Sequence, residues 1–134
     1  MIGDKGELRF GRMAPGIAVN DIQMAHDFYA RIFGFKKVFE NGQPVGFMIL
    51  RKDGAELHLS QQKGFKANKA PGFNVAHLMV SDAGALYATC TKNGVRIIKS
   101  LKDKDYGFRS FVFEDLDGNR IDVGERLQAK IDKA

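Results

Sequence analysis

One short stretch occurs twice in the chain and decides the fold. Residues 17–21 read IAVND, and residues 78–82 read LMVSD, so that Val80 follows Val19 by 61 positions. Each copy joins the end of an apolar strand to a pair of residues that cap helices well, Asn-Asp in the first and Ser-Asp in the second. A pattern repeated at a fixed offset indicates two copies of one supersecondary unit.

An amphipathic helix is predicted after each copy, over residues 22–33 and 83–93. Gly34 and Gly94 follow these segments, and glycine readily adopts the left-handed backbone that closes a helix. Apolar residues recur at helical spacing in both segments: Ile22, Ala25, Phe28, Tyr29 and Ile32 in the first, and Ala83, Leu86, Tyr87 and Cys90 in the second.

Two hairpins complete the pattern. Asp53-Gly54 and Asp117-Gly118 each lie between alternating apolar segments, which is a strong signal for a tight turn between antiparallel strands. The order is therefore β-α-β-β-β, twice: an α+β fold of two tandem βαβββ modules forming curved mixed sheets around a cleft. We expect a single domain over 1–134, with module one at about 13–60, a linker at 61–73 and module two at about 74–126. Residues 7–10 are predicted as an extra edge strand.

The amino-acid composition limits the classes of protein and of binding partner that fit this chain. The 134 residues are 44% apolar and 28% charged, which suits one domain with its own core. Cys90 is the one cysteine; it allows no intrachain disulfide and fits a cytoplasmic protein. No apolar run approaches the roughly 20 residues of a membrane span. The net charge is +5, but the 21 Lys and Arg are spread along the chain, so we expect no nucleic-acid partner.

Three sequence motifs together resemble those of a known protein family. They are FYARIFGF at residues 28–35, LRKDGAELHL at residues 50–59 and FEDLDGNRI at residues 113–121. Over residues 13–126 the chain resembles the glyoxalase/bleomycin resistance/dioxygenase superfamily, also called vicinal oxygen chelate proteins, and is most similar to bleomycin-resistance-like members. The resemblance implies two curved sheets around a cleft, and a homodimer whose clefts are built from both chains.

Strand alternation selects the side chains that should face the cleft. In residues 55–60, Leu57 and Leu59 should face the helix, which leaves Glu56 and His58 on the cleft side. The same argument places His77 of residues 74–80 and Asp122 of residues 120–124 there. With three aromatic candidates for the cleft wall, the predicted ligand-binding set is Glu56, His58, His77, Asp122, Phe47, Phe108 and Phe111. No catalytic residue is identified.

A metal ion is not favoured. The four metal positions implied by the resemblance fall on Ala14, Glu56, Val75 and Asp122, and the alanine and valine have no atoms that bind a metal. The alternative is a displaced divalent-metal site made of Glu56, His58, His77 and Asp122, whose two nitrogens and two oxygens form a plausible ligand set. Such a protein would be a lyase, isomerase or dioxygenase. Glu56 beside His58 could also form an acid–base pair that titrates near neutrality.

The favoured hypothesis is a binding protein. In the antibiotic-binding branch of the superfamily, proteins sequester the drug without chemistry, and we expect this chain to hold an aromatic or amphipathic small molecule without metal catalysis. Its basic charge opposes a cationic ligand such as bleomycin and favours an anionic or neutral one. A third hypothesis is a binding subunit or scaffold with neither catalysis nor a drug ligand.

Overall fold

The computed structural model describes residues 6–67 and 73–127. The elements follow the predicted order, twice. Neither helix of the described residues is long and apolar enough to cross a membrane. The first module consists of β1 (Gly16–Val19), α1 (Ile22–Phe33), β2 (Lys36–Asn41), β3 (Phe47–Lys52) and β4 (Ala55–Gln61). The second consists of β5 (Ala76–Met79), α2 (Ala83–Lys92), β6 (Arg96–Asp103), β7 (Phe108–Glu114) and β8 (Arg120–Arg126).

Each module forms one mixed sheet of four strands. Sheet one has the order β1-β4-β3-β2, and sheet two has the order β5-β8-β7-β6. In both sheets the first strand of the module lies parallel to the last, and the other pairs are antiparallel. Among the strands of residues 6–67 and 73–127 the sheets are open, because β1 and β5 each pair with one other strand only. The predicted α+β class with two tandem βαβββ modules is confirmed.

Local sequence explains where the helices begin and end. The Asp21 carboxylate accepts hydrogen bonds from the backbone N–H groups of residues 23 and 24, and Asp82 accepts one from that of residue 85. Gly34 closes α1 with a φ of 78°, in the left-handed region. Asn93 caps α2 with a φ of −97°, and left-handed Gly94 follows it. The second helix therefore ends one residue earlier than predicted.

The predicted edge strand at residues 7–10 is wrong. Residues 7–15 form no strand, and three of their apolar side chains are almost fully exposed: Leu8 at 83%, Phe10 at 90% and Met13 at 93%. A strand needs hydrogen bonds to a neighbouring strand, and within the described chain residues 7–10 make none; the first backbone contact with β4 is the 3.0 Å hydrogen bond from His58 N–H to the carbonyl of Pro15. We call residues 7–15 the N-terminal arm.

A core shared by both modules fixes the direction in which the sheets face. The ring of Phe33 on α1 stacks on Phe113 of sheet two at 4.7 Å between centroids. Leu57 and Leu59 of sheet one and Ile121 and Val123 of sheet two are all buried in one apolar cluster. Because side chains alternate along a strand, the opposite faces point away from this cluster. We call them the outer face of sheet one, with Glu56 and His58, and the outer face of sheet two, with Ser110 and Asp122.

Candidate functional site

Glu56 of β4 is held by three partners. Its Oε2 lies 2.8 Å from Nε2 of His58, and its Oε1 accepts hydrogen bonds from Arg51 at 3.0 Å and from Arg12 at 3.1 Å. The hydrogen bond from His58, followed by those from Arg51 and Arg12 and by the charge of Arg51, lowers the pKa of Glu56 to about 2. The carboxylate is therefore ionised at neutral pH. The expectation that Glu56 titrates near neutrality as half of an acid–base pair is wrong.

Two aromatic rings extend the site along the outer face of sheet one. The Phe47 ring meets the His58 imidazole edge to face, with 5.5 Å between centroids. Phe39 lies 6.2 Å from Phe47 and is 50% exposed. A row of Phe39, Phe47, His58 and Glu56 therefore runs across three strands. It offers apolar surface at one end and a neutralised carboxylate at the other, which is the mixture found in small-molecule sites.

A second histidine–carboxylate pair lies on sheet two. His77 of β5 and Asp122 of β8 are direct neighbours in the parallel register, and Nδ1 of His77 is 3.0 Å from Oδ2 of Asp122. The His77 side chain is 69% exposed and that of Asp122 is 29% exposed. Because β5 is an edge strand, this pair lies at the margin of its sheet.

The structure separates two phenylalanines that the sequence analysis grouped together. Phe108 is partly exposed on the outer face of sheet two, with the guanidinium carbon of Arg126 6.0 Å from its ring centroid. Phe111 is only 1% exposed and packs edge to face on Tyr87 of α2 at 5.1 Å. Residues three apart on a strand face opposite sides, so Phe111 belongs to the core. We leave it out of the ligand-binding wall.

The described residues of one chain do not form a binding site for a metal ion. Within them, no three His, Cys, Asp or Glu side chains are grouped closely enough to hold one. Glu56 and His58 lie on sheet one, His77 and Asp122 lie on sheet two, and the two outer faces point away from the shared core. Two arginines already neutralise Glu56, which makes it a weak ligand for a cation.

A groove of about 840 Å³ opens between the first module and the β5–α2 region. Its volume lies within the range of roughly 300–1,000 Å³ that is usual for small-molecule sites. Glu56 and His77, from the predicted site, lie on its lining together with Arg12. Its apolar wall, which the sequence did not predict, includes Phe33, Phe35, Leu57, Leu78, Leu86 and Phe113.

Arg51 was not predicted as a site residue, but the sequence contained a signal for its position beside Glu56. The two-residue turn Asp53-Gly54 pairs Lys52 with Ala55 and, one step further, Arg51 with Glu56. This register could have been counted outward from the turn. Arg12 gave no such signal, because it lies outside the repeat and reaches Glu56 from 44 positions away.

Comparison with known proteins places the chain among related structures. The family model described as Glyoxalase/Bleomycin resistance protein/Dioxygenase superfamily matches residues 9–123. The comparison with curated proteins gave no match. A solved member of that superfamily from Sphaerobacter thermophilus is 28% identical, with a TM-score of 0.68 over 86% of this chain and 98% of its own.

Two further solved structures differ from each other in function. A bleomycin-binding protein complexed with bleomycin is 21% identical, with a TM-score of 0.71 over 87% of this chain and 99% of its own. A lactoylglutathione lyase from Agrobacterium tumefaciens is 16% identical, with a TM-score of 0.68 over 89% and 96%. At these identities the likeness shows a shared fold, and one fold hosts both binding and catalysis.

Proposed function

Because the chain belongs to the Glyoxalase/Bleomycin resistance protein/Dioxygenase superfamily, we propose that it binds and sequesters an aromatic or amphipathic small molecule, such as an antibiotic, without metal catalysis. The observation that carries this proposal is the row of Phe39, Phe47, His58 and Glu56 on the outer face of sheet one. We place the protein in the cytoplasm, because its one cysteine is a free thiol.

The charges around this row favour an anionic or neutral ligand. Glu56 is the carboxylate at the end of the row, and its charge is offset by Arg12 and Arg51. The chain as a whole carries a net charge of +5. A cationic ligand would therefore meet little free negative charge at this site and a repulsive field around it.

A second copy of the chain completes the cleft in this proposal. The outer faces of the two sheets point away from the shared core, so the two walls within one chain do not face each other. In a symmetric homodimer, the outer face of sheet one can lie opposite the outer face of sheet two of the partner. The exposed Leu8, Phe10 and Met13 of the N-terminal arm supply apolar area for such an association.

Binding of an uncharged aromatic probe tests the proposal. We expect N-phenylnaphthylamine to become fluorescent on binding, and Phe47→Ala to weaken its affinity by about tenfold, because the variant removes the ring beside His58. Leu116→Ala, at a side chain 57% exposed in the β7–β8 turn, is the control and should bind as the wild type does. Equal affinity in the wild type and in Phe47→Ala would contradict the proposal.

A metal-dependent lyase, isomerase or dioxygenase is the alternative. It is favoured by one observation: each of the two histidines is bonded to a carboxylate, as metal-binding histidines commonly are. Elemental analysis of protein made without a histidine tag separates the two functions. A stoichiometric divalent ion that is lost in the His58→Ala, His77→Ala double variant would support the enzyme and contradict metal-free binding.

A further inference from the structure

A small hollow lies on the outer face of sheet two, beneath the turn that joins β6 to β7. Its volume is about 90 Å³, which exceeds the roughly 30 Å³ that one water molecule occupies in the liquid. The polar side chains around it are Asn74, Lys99, Lys104, Tyr106, Ser110 and Asp122. The hollow is thus large enough for a small group of a ligand and is walled mainly by hydrogen-bond donors.

Irregular backbone brings the two lysines to this hollow. The register of β6 against β7 shifts on both sides of Lys99, which pairs with Val112. The backbone N–H of Lys104 donates to the carbonyl of Phe108 at 2.6 Å, and that of Gly107 donates to the carbonyl of Lys104 at 3.2 Å. Gly107 has a φ of 93°, a conformation that glycine accepts without strain. This turn holds Lys104 and Tyr106 over the strand that carries Ser110.

The charge around the hollow is positive. Among the described residues, the ion pairs of β6, β7 and β8 are made by Arg96, Arg109 and Arg120 and not by Lys99 or Lys104. Asp122 supplies the carboxylate on the lining, and one of its oxygens is already bonded to His77. Ser110 is 6% exposed, so its hydroxyl lies at the floor of the hollow and not in open solvent. Ammonium groups and hydroxyls are the donors that stabilise oxyanions.

We propose that this hollow, which we call the anion subsite, binds a carboxylate, sulfonate or phosphoryl group carried by the aromatic ligand. Lys99 and Lys104 supply the charge, and Ser110 and Tyr106 supply further hydrogen bonds. The inference rests on the proposed function, because it takes the outer face of sheet two as the second wall of the cleft. It adds the chemical class of ligand: an aromatic molecule with an anionic substituent, and not merely a neutral one.

A pair of matched probes tests the anion subsite. Anilinonaphthalene sulfonate carries the aromatic system of N-phenylnaphthylamine together with one sulfonate. At constant ionic strength, the Lys99→Ala, Lys104→Ala double variant should bind the sulfonate about tenfold more weakly and the uncharged probe unchanged, because two charge-assisted hydrogen bonds are lost. Lys63→Ala with Lys92→Ala, two exposed lysines elsewhere, removes the same charge and should alter neither affinity.

Two further measurements make the outcome decisive. Inorganic phosphate should displace the sulfonate probe but leave the uncharged probe bound, and Lys99→Arg with Lys104→Arg should keep most of the sulfonate affinity. If both lysine-to-alanine pairs weakened sulfonate binding equally, the effect would be general charge and the anion subsite would be overturned. If instead Phe47→Ala left both probes unaffected, the proposed function itself would fail, so the two failures are distinguishable.

Discussion

The phenol of Tyr29 on α1 donates a 2.7 Å hydrogen bond to Asp115 Oδ2 at the end of β7, and so links the helix of one module to the hairpin of the other. The second oxygen of Asp115 accepts from the backbone N–H groups of Asp117 and Asn119, each at 2.9 Å. Burial raises the pKa of Asp115, and burial together with the neighbouring carboxylate raises that of Tyr29. This buried contact helps to fix the orientation in which the outer faces point apart.

Removing the Tyr29 hydroxyl should destabilise the protein. Tyr29→Phe removes the shorter of two hydrogen bonds to Oδ2 of a buried carboxylate and leaves only the one from Asn119 Nδ2 at 3.2 Å, which costs about 1 kcal/mol of the free energy of unfolding. Urea titration followed by circular dichroism measures this loss. Tyr106→Phe, at a tyrosine that is 66% exposed, is the matched control. Identical urea midpoints for the wild type and Tyr29→Phe would show that the contact contributes no stability.

Acid should weaken the cluster around Glu56. Its pKa falls from 4.5 to about 2 on folding, chiefly through the hydrogen bond from His58. A lowered pKa means that the stabilisation is complete above pH 4.5 and is lost as the pH falls toward 2. The difference in Tm between the wild type and Glu56→Gln should therefore shrink across that window. A difference that stays constant with pH would mean that the carboxylate charge contributes nothing.

Cys90 should be chemically inert in the folded protein. Its side chain is fully buried, and burial raises the pKa of its thiol to about 11, while the thiolate is the reactive form. A colorimetric disulfide reagent at mildly alkaline pH should leave the native protein unmodified and label one thiol per chain in concentrated urea. Rapid labelling of the native protein would contradict the burial of this residue.

Gly34 should resist substitution. Its φ of 78° closes α1, and an added Cβ would lie 3.3 Å from the Lys52 side chain. Gly34→Ala should therefore lower the free energy of unfolding by about 1 kcal/mol or more. Gly16, in β1, has open space around the Cβ position, so Gly16→Ala serves as the control. Equal losses at the two glycines would mean that the left-handed conformation is not the cause.

Local patterns explain why the sequence predicted most of the fold. Helix caps such as Asp21 and hairpin turns such as Asp53-Gly54 depend on neighbouring residues only, and both lie where expected. Alternation also placed Glu56 and His58 opposite the buried Leu57 and Leu59. The same rule could have excluded Phe111, because an odd spacing from Phe108 puts the two rings on opposite faces.

The orientation of the modules could not be predicted in the same way. It depends on contacts between residues far apart in the chain, such as Phe33 with Phe113. No local sequence pattern indicates which face of one module packs on the other module. Strand alternation alone therefore predicted four polar residues in one hollow, whereas the described chain holds them as two pairs on separate sheets.

Mixed dimers test most directly whether each cleft is shared between two copies. One variant carries Phe47→Ala with His58→Ala and damages the sheet-one wall; the other carries Phe108→Ala with Asp122→Ala and damages the sheet-two wall. Each alone should bind N-phenylnaphthylamine poorly. When equal amounts are unfolded and refolded together, every mixed dimer gains one intact cleft, so about one quarter of the wild-type sites should return. Recovery of none, with mixed dimers demonstrated by mass spectrometry, would contradict a cleft built from both chains.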